Sequence, residues 1–426
     1  MLRFNVLLSL IVLFTSCQRN ADTSQSEERF VVDNIARVRI DSTLTAMVDS
    51  GRVAGVSALI VEKDKEVYFG AFGKADIENG LPIDRNTVMR IYSMTKPVTG
   101  VALMQLYEKG AFQLDDPLSK YAPEFADVKV FAGTDAKGNL ILEAPKRPIT
   151  IRDLTRHTAG FTNGDQPELA ELARAANPGS PENTLSEMAK KLATLPLAFH
   201  PGEEWSYGIC VDVQAYLVEI LSGMPFDQYI EKNIFDPLEM TNTAYVTREP
   251  SKLAALYRKD DEGKLNRIPD EDANAFHSKA WPLKPGGWGL TSTIDDYMKF
   301  ARMLVNEGTF NNNTVLKEET VKLMATNHLS DSIAKRMWLP SKGRVGFGID
   351  FAVRTHPAQS PDENVGTVGE FFWDGAASTL FWVDPVNELA AVLFVQIFPF
   401  DRELHKRFRD AVYGPYNGPS DVAVSH

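Results

Sequence analysis

Ser93 and Lys96 are the residues of this sequence whose types and spacing best suit nucleophilic chemistry. Residues 87–92 have the composition of a strand, and the helical pattern after them contains Pro97, which is tolerated only in a first turn. Side chains three residues apart on a helix lie about 5–6 Å from each other, so the lysine ammonium can reach the serine hydroxyl. Free N–H groups at a helix start also favour negative charge. The stretch therefore predicts the nucleophile and base of an acyl-transfer site.

The same spacing occurs a second time, at Ser332 and Lys335. This copy follows His328 in a polar stretch, and no strand-like run leads into it. A nucleophile must be held in a fixed position beside its base, which a strand-to-helix junction provides. We therefore expect Ser332 to lie on a surface loop or helix, and Ser93 to carry the chemistry.

Tyr207 is a candidate partner for this pair. A Pro-Gly turn at residues 201–202 and a short strand-like run bring it to the start of a helical pattern. Most tyrosines at such positions only pack against neighbours. A phenol serves as a base when a cation such as Lys96 stabilises its phenolate. The function of Tyr207 thus depends on whether the fold brings it to Lys96.

Residues 370–378 form a third segment with chemical potential. They read as a strand that ends in the small residues Gly375, Ala376 and Ala377. Small residues at a strand end allow a substrate to lie against the backbone and accept hydrogen bonds from it. The alternative is an ordinary hairpin with a bulge.

Four motifs, taken in their order along the chain, indicate a family. They are Ser93-Met94-Thr95-Lys96, Tyr207 after Pro201-Gly202 and Trp205-Ser206, the loop Gly286-Gly287-Trp288-Gly289-Leu290, and Trp373-Asp374-Gly375. Together they resemble the serine hydrolases of the class C β-lactamase fold, which include class C β-lactamases, D-alanyl-D-alanine carboxypeptidases and family VIII carboxylesterases. The likeness covers residues 30–413. The pentapeptide G-x-S-x-G is absent, which disfavours the α/β-hydrolase esterases.

The resemblance implies a role for each residue of the site. Ser93 would be the nucleophile, and Lys96 and Tyr207 would share the base and acid work, with the first proton acceptor left open. The backbone N–H groups of Ser93 and Ala376 would form the oxyanion hole, where each donor typically contributes about 10²–10³ in rate. Neither a metal nor another cofactor is implied.

Two departures from the family pattern bear on the substrate. Where β-lactamases and carboxypeptidases have Y-x-N, this chain has Ile209 at the third position, and Trp373-Asp374-Gly375 replaces their K-T-G or H-x-G triplet. We expect these four residues to contact substrate, and we expect the positive charge that would hold a substrate carboxylate to be lost. Apolar Ile209 and Trp373 suit an uncharged ester better than an anionic peptide. The closest resemblance is therefore to the esterase branch.

Two other functions are considered. A D-alanyl-D-alanine carboxypeptidase or class C-type β-lactamase would use the same nucleophile on an amide of the peptidoglycan type. A non-catalytic lipoprotein would keep the cleft only to bind cell-envelope fragments. The three intact residues Ser93, Lys96 and Tyr207 argue against the second alternative, because a binding protein does not need them.

The first 17 residues predict an export signal. Arg3 provides the positive charge, residues 6–14 are apolar apart from one serine, and small residues precede Cys17. This end resembles a bacterial lipoprotein signal, which implies lipidation of Cys17, attachment to a membrane and a place in the cell envelope, in the periplasm or at the outer membrane. An ordinary cleaved signal is the alternative. Residues 18–29 are polar and predict a flexible tether.

Composition excludes several other classes. The 426 residues carry a formal net charge of −12, and no basic block stands out, which disfavours nucleic-acid partners. The seven histidines are scattered without metal-ligand spacing. A small-molecule substrate remains the expected partner.

Hydrophobic periodicity predicts an α+β fold, in which helices flank one antiparallel sheet and an all-helical domain is inserted. The first sheet segment is residues 30–115, the insertion 116–292 and the second sheet segment 293–413, followed by a loose tail at 414–426. Three expectations are specific: a helix over 33–49, a hairpin turn at Asp64-Lys65, and a single strand over 345–353.

Overall fold

The computed structural model describes residues 29–162, 164 and 166–418. The predicted signal, most of the tether, lipidation at Cys17 and the last part of the tail lie outside these residues. None of the helices within them is long and apolar enough to cross a membrane.

Twelve helices and seventeen strands make up the described fold. The helices are α1 (Asn34–Asp49), α2 (Thr95–Glu108), α3 (Ile151–Thr155), α4 (Pro167–Ala176), α5 (Leu185–Ala193), α6 (Cys210–Ser222), α7 (Phe226–Ile230), α8 (Asp236–Leu238), α9 (Asp270–Ala273), α10 (Ile294–Val305), α11 (Glu318–Met324) and α12 (Arg402–Tyr413). The strands are β1 (Gly55–Glu62), β2 (Lys65–Asp76), β3 (Leu81–Pro82), β4 (Met89–Arg90), β5 (Val130–Thr134), β6 (Leu140–Glu143), β7 (Tyr257–Lys259), β8 (Leu265–Arg267), β9 (Thr291–Ser292), β10 (Thr309–Phe310), β11 (Asn313–Thr314), β12 (Val345–Phe347), β13 (Ala352–Arg354), β14 (Phe371–Asp374), β15 (Leu380–Asp384), β16 (Leu389–Phe394) and β17 (Ile397–Phe398).

The central sheet has eight strands in the order β12-β13-β14-β15-β16-β1-β2-β3, and neighbouring strands are antiparallel. The first hairpin of the chain pairs with the last long strand, so that Leu59 lies opposite Val392. Strands β1, β15 and β16 are buried along their whole lengths, and their runs are correspondingly apolar. Helices α1 and α12 pack together beside the sheet, and α10 packs on β1, β15 and β16. This arrangement confirms the predicted α+β class.

The segment between the two parts of the sheet is mainly helical, and α6 packs against α2, the helix that follows Ser93. It is not purely helical, because the hairpins β5–β6 and β7–β8 interrupt it. These strands are only three to five residues long and are partly exposed. They lack a sustained alternation of apolar and polar residues, which explains why the sequence pattern did not indicate them.

Element boundaries follow the predictions with two corrections. Helix α1 begins where expected, because the Asp33 carboxylate caps it by accepting the N–H of Ala36 at 2.8 Å. The hairpin turn lies one residue earlier than predicted, at Lys63-Asp64, with φ of 51° and 60°. The predicted strand over 345–353 is instead two strands, β12 and β13, since Asp350 (φ 60°) turns the chain between them.

Candidate active site

Ser93 lies in a short 3₁₀ turn, Tyr92–Met94, between β4 and the start of α2. Tyr92 has a φ of 45°, a left-handed conformation that costs a residue with a side chain roughly 1–2 kcal/mol. The phenol of Tyr297 donates to the carbonyl oxygen of Met94 at 2.8 Å and holds the far side of the turn. The strand-to-helix junction inferred from the sequence is thus present, with a turn in a sparsely populated conformation at its centre.

Lys96 is aimed at this serine. Its ammonium lies 3.3 Å from Ser93 Oγ and donates to the carbonyl oxygen of Gly287 at 2.7 Å. Only 4% of Lys96 is exposed. A Cβ atom on Gly287 would lie 3.1 Å from Lys96 Nζ and 3.0 Å from a carboxylate oxygen of Asp212. Glycine at this position therefore lets the loop backbone approach the lysine closely.

Tyr207 completes the cluster. Its ring centroid lies 4.5 Å from Lys96 Nζ, and its phenol oxygen accepts a hydrogen bond from Trp373 Nε1 at 3.2 Å. Both neighbours present positive charge or a positive dipole, which favours developing negative charge on the phenol. The structure thus brings Tyr207 into contact with the Ser93–Lys96 pair, although the two segments are far apart in the sequence.

An aromatic cluster surrounds Tyr207. Its ring contacts His157 at 4.8 Å, Trp338 at 5.0 Å and Trp373 at 5.4 Å between centroids. Burial, followed by the nearby charge of Lys96, holds the pKa of His157 well below its ordinary value, so this imidazole is neutral at physiological pH. It packs against the phenol and provides no charge to the site.

The end of β14 lies directly against the serine turn. A Cβ atom on Gly375 would come within 2.5 Å of the carbonyl oxygen of Ile91, so the close approach requires glycine. The N–H of Gly375 donates to Thr379 at 3.0 Å, whereas that of Ala376 has no partner in the described part of the chain. Ala376 is exposed and lines the same pocket as Ser93. This geometry fits the predicted oxyanion hole.

Two cavities meet at Tyr207. The larger, of about 680 Å³, includes Ser93 and Ala376 in its wall. The smaller, of about 280 Å³, includes Lys96 and Ile209. Two cavities that share the wall residue Tyr207 can hold the two halves of a substrate.

A profile of the beta-lactamase family matches residues 40–413. The chain belongs to that family. The family match covers both segments of the sheet and the helical region between them. The beta-lactamase/transpeptidase-like fold expected from the motifs is therefore confirmed.

The relatives include esterases, acyltransferases and uncharacterised proteins. Protein Rv1367c of Mycobacterium tuberculosis is 34% identical over 367 residues, which cover 84% of this chain and 89% of that protein. Lovastatin esterase of Penicillium rubens is 28% identical over 411 residues, which cover 89% and 98%. The solved structure of EstCE1, a hydrolase with promiscuous acyltransferase activity, has a TM-score of 0.75 and 26% identity and covers 90% of this chain and 100% of its own. This chain is a beta-lactamase-family hydrolase, and the resemblance to the esterase branch is confirmed.

The two departures from the family motifs, Ile209 and the triplet at Trp373, lie in different places. Ile209 is half-buried and lines the smaller cavity, where it makes the wall apolar. Trp373 is fully buried and belongs to neither of the two cavity walls. Instead of lining either cavity, Trp373 contacts Tyr207, because its indole N–H donates to the phenol oxygen. Gly375 is likewise buried, and Asp374 reaches the larger cavity.

A positive charge that the motifs did not indicate lies at this end of the cleft. Lys342, from the short turn Leu339–Lys342, lines the larger cavity and forms an ion pair with Asp374. Its ammonium lies 5.0–5.1 Å from the ring centroids of Trp338, Trp373 and Phe400. Sequence reasoning missed this lysine because it lies 32 positions before its partner in the chain.

Asp212 is a second residue that the motifs did not single out. It lies on α6, lines the smaller cavity and accepts the N–H of Gly287 at 3.1 Å. Burial raises the pKa of this carboxyl, while the nearby charge of Lys96 opposes the shift. Asp212 thereby holds the glycine loop that in turn binds Lys96. Across the described ranges, no group of three or more His, Cys, Asp or Glu side chains is placed to hold a metal ion.

Proposed function

We propose that this protein cleaves carboxylic esters through an acyl-enzyme on Ser93. The observation that carries the proposal is the approach of Lys96 Nζ to Ser93 Oγ at 3.3 Å beside the ring of Tyr207. A hydroxyl, a cation and a phenol in contact provide a nucleophile and a route for its proton. The esterases among the relatives support an ester as the substrate.

In the first half of the reaction, Ser93 Oγ bonds to the ester carbonyl carbon, and its proton passes to the Lys96–Tyr207 pair. The carbonyl oxygen becomes an oxyanion that accepts hydrogen bonds from the N–H groups of Ser93 and Ala376. The ester C–O bond then breaks, and the departing alkoxide takes the proton and leaves as an alcohol. Water repeats these steps on the acyl-enzyme, which releases the carboxylic acid and restores Ser93.

An ester fits this cleft better than a peptidoglycan-type amide. The apolar side chain of Ile209 provides no amide to bind an acylamino group, and the cation of Lys342 is already paired with Asp374. A missing amide hydrogen bond costs about 0.5–1.5 kcal/mol, and a missing hydrogen bond to a charged group about 1.5–3 kcal/mol. We therefore expect short-chain esters to be hydrolysed much faster than a cephalosporin.

Acyl transfer to an alcohol is a second candidate function. Tyr207 lines both cavities, so the smaller one can hold an alcohol while the acyl group occupies the larger. An alcohol bound there would replace water in the second half-reaction. The promiscuous acyltransferase activity stated for EstCE1 supports this reading. Product analysis with an added alcohol would distinguish a new ester from the free acid.

The decisive test of the main proposal combines labelling with kinetics. A fluorophosphonate probe should label the purified protein once, and mass spectrometry of the digested protein should place the label on Ser93. A p-nitrophenyl butyrate assay should show turnover beside slow or absent hydrolysis of a chromogenic cephalosporin. A label on Ser332, an unlabelled protein or a preference for the cephalosporin would each contradict the proposal.

We also propose that the protein is exported and attached to a membrane through Cys17. This proposal is supported only by the pattern of residues 1–28. Mass spectrometry of the native N-terminus should find a diacylglycerol-modified Cys17. An unmodified N-terminus beyond Cys17 would leave export in place and exclude lipidation.

A further inference from the structure

The larger cavity differs in charge from the rest of the molecule. The protein has a formal net charge of −12, yet the charged side chains in this wall are four basic residues and one acidic residue within the described chain. They are Arg258, Lys342, Arg402, Arg409 and Asp374. His405 also lines the wall, but burial lowers its pKa to about 4, so it adds no charge at neutral pH. A basic cavity in an acidic protein indicates an anionic ligand.

We propose that the larger cavity selects esters in which the half that occupies it, acyl or alcohol, carries a carboxylate away from the scissile bond. The proposal rests on the proposed ester hydrolysis and specifies its substrate class. Hemiesters of dicarboxylic acids and esters of hydroxy acids have this chemistry. The arginines of the cavity, rather than its lysine, would bind this carboxylate.

Lys342 is not the main partner for such an anion. Its ammonium is paired with Asp374, and both side chains are about nine-tenths buried. The pair is locally neutral, and the Asp374 carboxylate lies two residues before Ala376, the predicted oxyanion donor. A substrate carboxylate next to the reacting carbon would meet no unpaired cation there. The anion is therefore directed to another part of the cavity.

Arg258 and Arg402 form the exposed basic part of the wall. Arg258 comes from β7 and Arg402 begins α12, and neither has an acidic partner within ion-pair distance among the described residues. Phe398 lies beside them, with its ring centroid 5.5 Å from the Arg258 guanidinium. Guanidinium groups bind carboxylates through two parallel hydrogen bonds. Two such groups around an apolar wall can bind an alkyl chain that ends in a carboxylate.

Arg409 adds a buried positive charge to the same wall. It is 1% exposed and lines the cavity; Nη1 donates to Glu370 at 2.7 Å, and Nη2 has no hydrogen-bond partner in the described structure. Arg354 donates to the same carboxylate oxygen at 2.8 Å. Two buried arginines thus share one carboxylate oxygen, and the Arg409 guanidinium also packs over the rings of Phe372 and Trp382. Nη2 is buried, so Arg409 adds to the positive potential of the wall and is not a direct partner of the anion.

The first experiment compares acids with neutral substrates of matched length. The p-nitrophenyl monoester of adipic acid is compared with p-nitrophenyl hexanoate, and 3-acetoxybenzoate with its methyl ester, so that the charge lies on the acyl half or on the alcohol half. In at least one pair, kcat/KM for the acid should exceed that for the neutral ester by about tenfold. Added salt should reduce this ratio, since part of the wall is exposed.

Variants then assign the preference to the arginines. Arg258→Gln and Arg402→Gln should each lower the acid-to-neutral ratio, and the double variant should bring it close to one. Arg407→Gln is the matched control, because Arg407 is exposed on the same helix, is paired with Glu403 and lies outside this cavity. A wild-type ratio near one in both pairs, or an unchanged ratio in the double variant, would overturn the inference.

A binding measurement separates this inference from the proposed catalysis. The Ser93→Ala protein cannot form an acyl-enzyme. Titration calorimetry of this variant should give a lower Kd for monomethyl adipate than for dimethyl adipate. Adding Arg258→Gln and Arg402→Gln should remove that difference. Equal binding of the two adipates would refute the anion site even if ester hydrolysis is confirmed. Selective binding without any ester hydrolysis by the wild-type protein would refute the proposed function and retain the anion site.

Discussion

The two serine–lysine pairs of this chain have the same spacing and opposite surroundings. Ser93 and Lys96 lie at a strand-to-helix junction, where the lysine is almost fully buried against Tyr207 and Gly287. Ser332 is exposed in a turn, and Lys335 forms an exposed ion pair with Glu204 at 2.6 Å. The backbone carbonyl oxygen of Lys335 accepts a hydrogen bond from the N–H of Trp205 at 2.9 Å, so this residue has a structural role. Spacing alone therefore does not identify a nucleophile; the burial and partners of its base do.

The largest expected effect is that of Ser93→Ala. Removing the hydroxyl should abolish both ester turnover and fluorophosphonate labelling, because no bond to the acyl group can form. The loss of one oxygen from a half-buried position should leave the thermal unfolding midpoint nearly unchanged. Labelling that persists in this variant would show that Ser93 is not the nucleophile.

Lys96→Ala should lower kcat by about 10²–10⁴, because the proton of Ser93 loses its acceptor pathway. Tyr207→Phe should have an effect of similar size. The double variant should be far less impaired than the product of the single effects, since the two groups act on one proton transfer. Single-turnover kinetics of all three variants would measure this coupling, and a fully multiplicative result would mean that the two residues act independently.

Trp373→Phe tests the contact that the third segment makes with Tyr207. Loss of the indole N–H should lower kcat by about tenfold, because one hydrogen bond to the phenol oxygen disappears. Trp382→Phe is a matched control, since this equally buried indole donates to Tyr413 at 2.9 Å, away from the nucleophile. Both variants should lose stability in urea unfolding, and only Trp373→Phe should lose activity. Equal activity losses would indicate a general packing effect.

The smallest effects are expected at the second pair. Ser332→Ala and Lys335→Ala should leave kcat/KM within experimental scatter and change the free energy of unfolding by at most about 1 kcal/mol. The ion pair of Lys335 is exposed, and its backbone contact with Trp205 does not depend on the side chain. A large loss of activity in Ser332→Ala would reverse the assignment of the two serines.

The difference between the pairs shows which features of the site local sequence patterns can identify. The helix after Ser93, the tyrosine before α6 and the glycine loop could be identified from local patterns, because each depends on residues close in the chain. The cations of the larger cavity could not. Lys342, Arg258 and Arg409 come from three distant elements, and only the tertiary fold brings them to one wall.

The sequence by itself determined the family, the α+β class and the identity of the three residues proposed for catalysis, since motifs and periodicity are local properties of the chain. The tertiary structure decided the role of the neighbours. It buried Trp373 under Tyr207 instead of exposing it to substrate, paired Asp374 with Lys342, and left arginines around the larger cavity. These outcomes depend on which side chains meet across the fold and on how much water they exclude, and neither can be read from spacing along the chain.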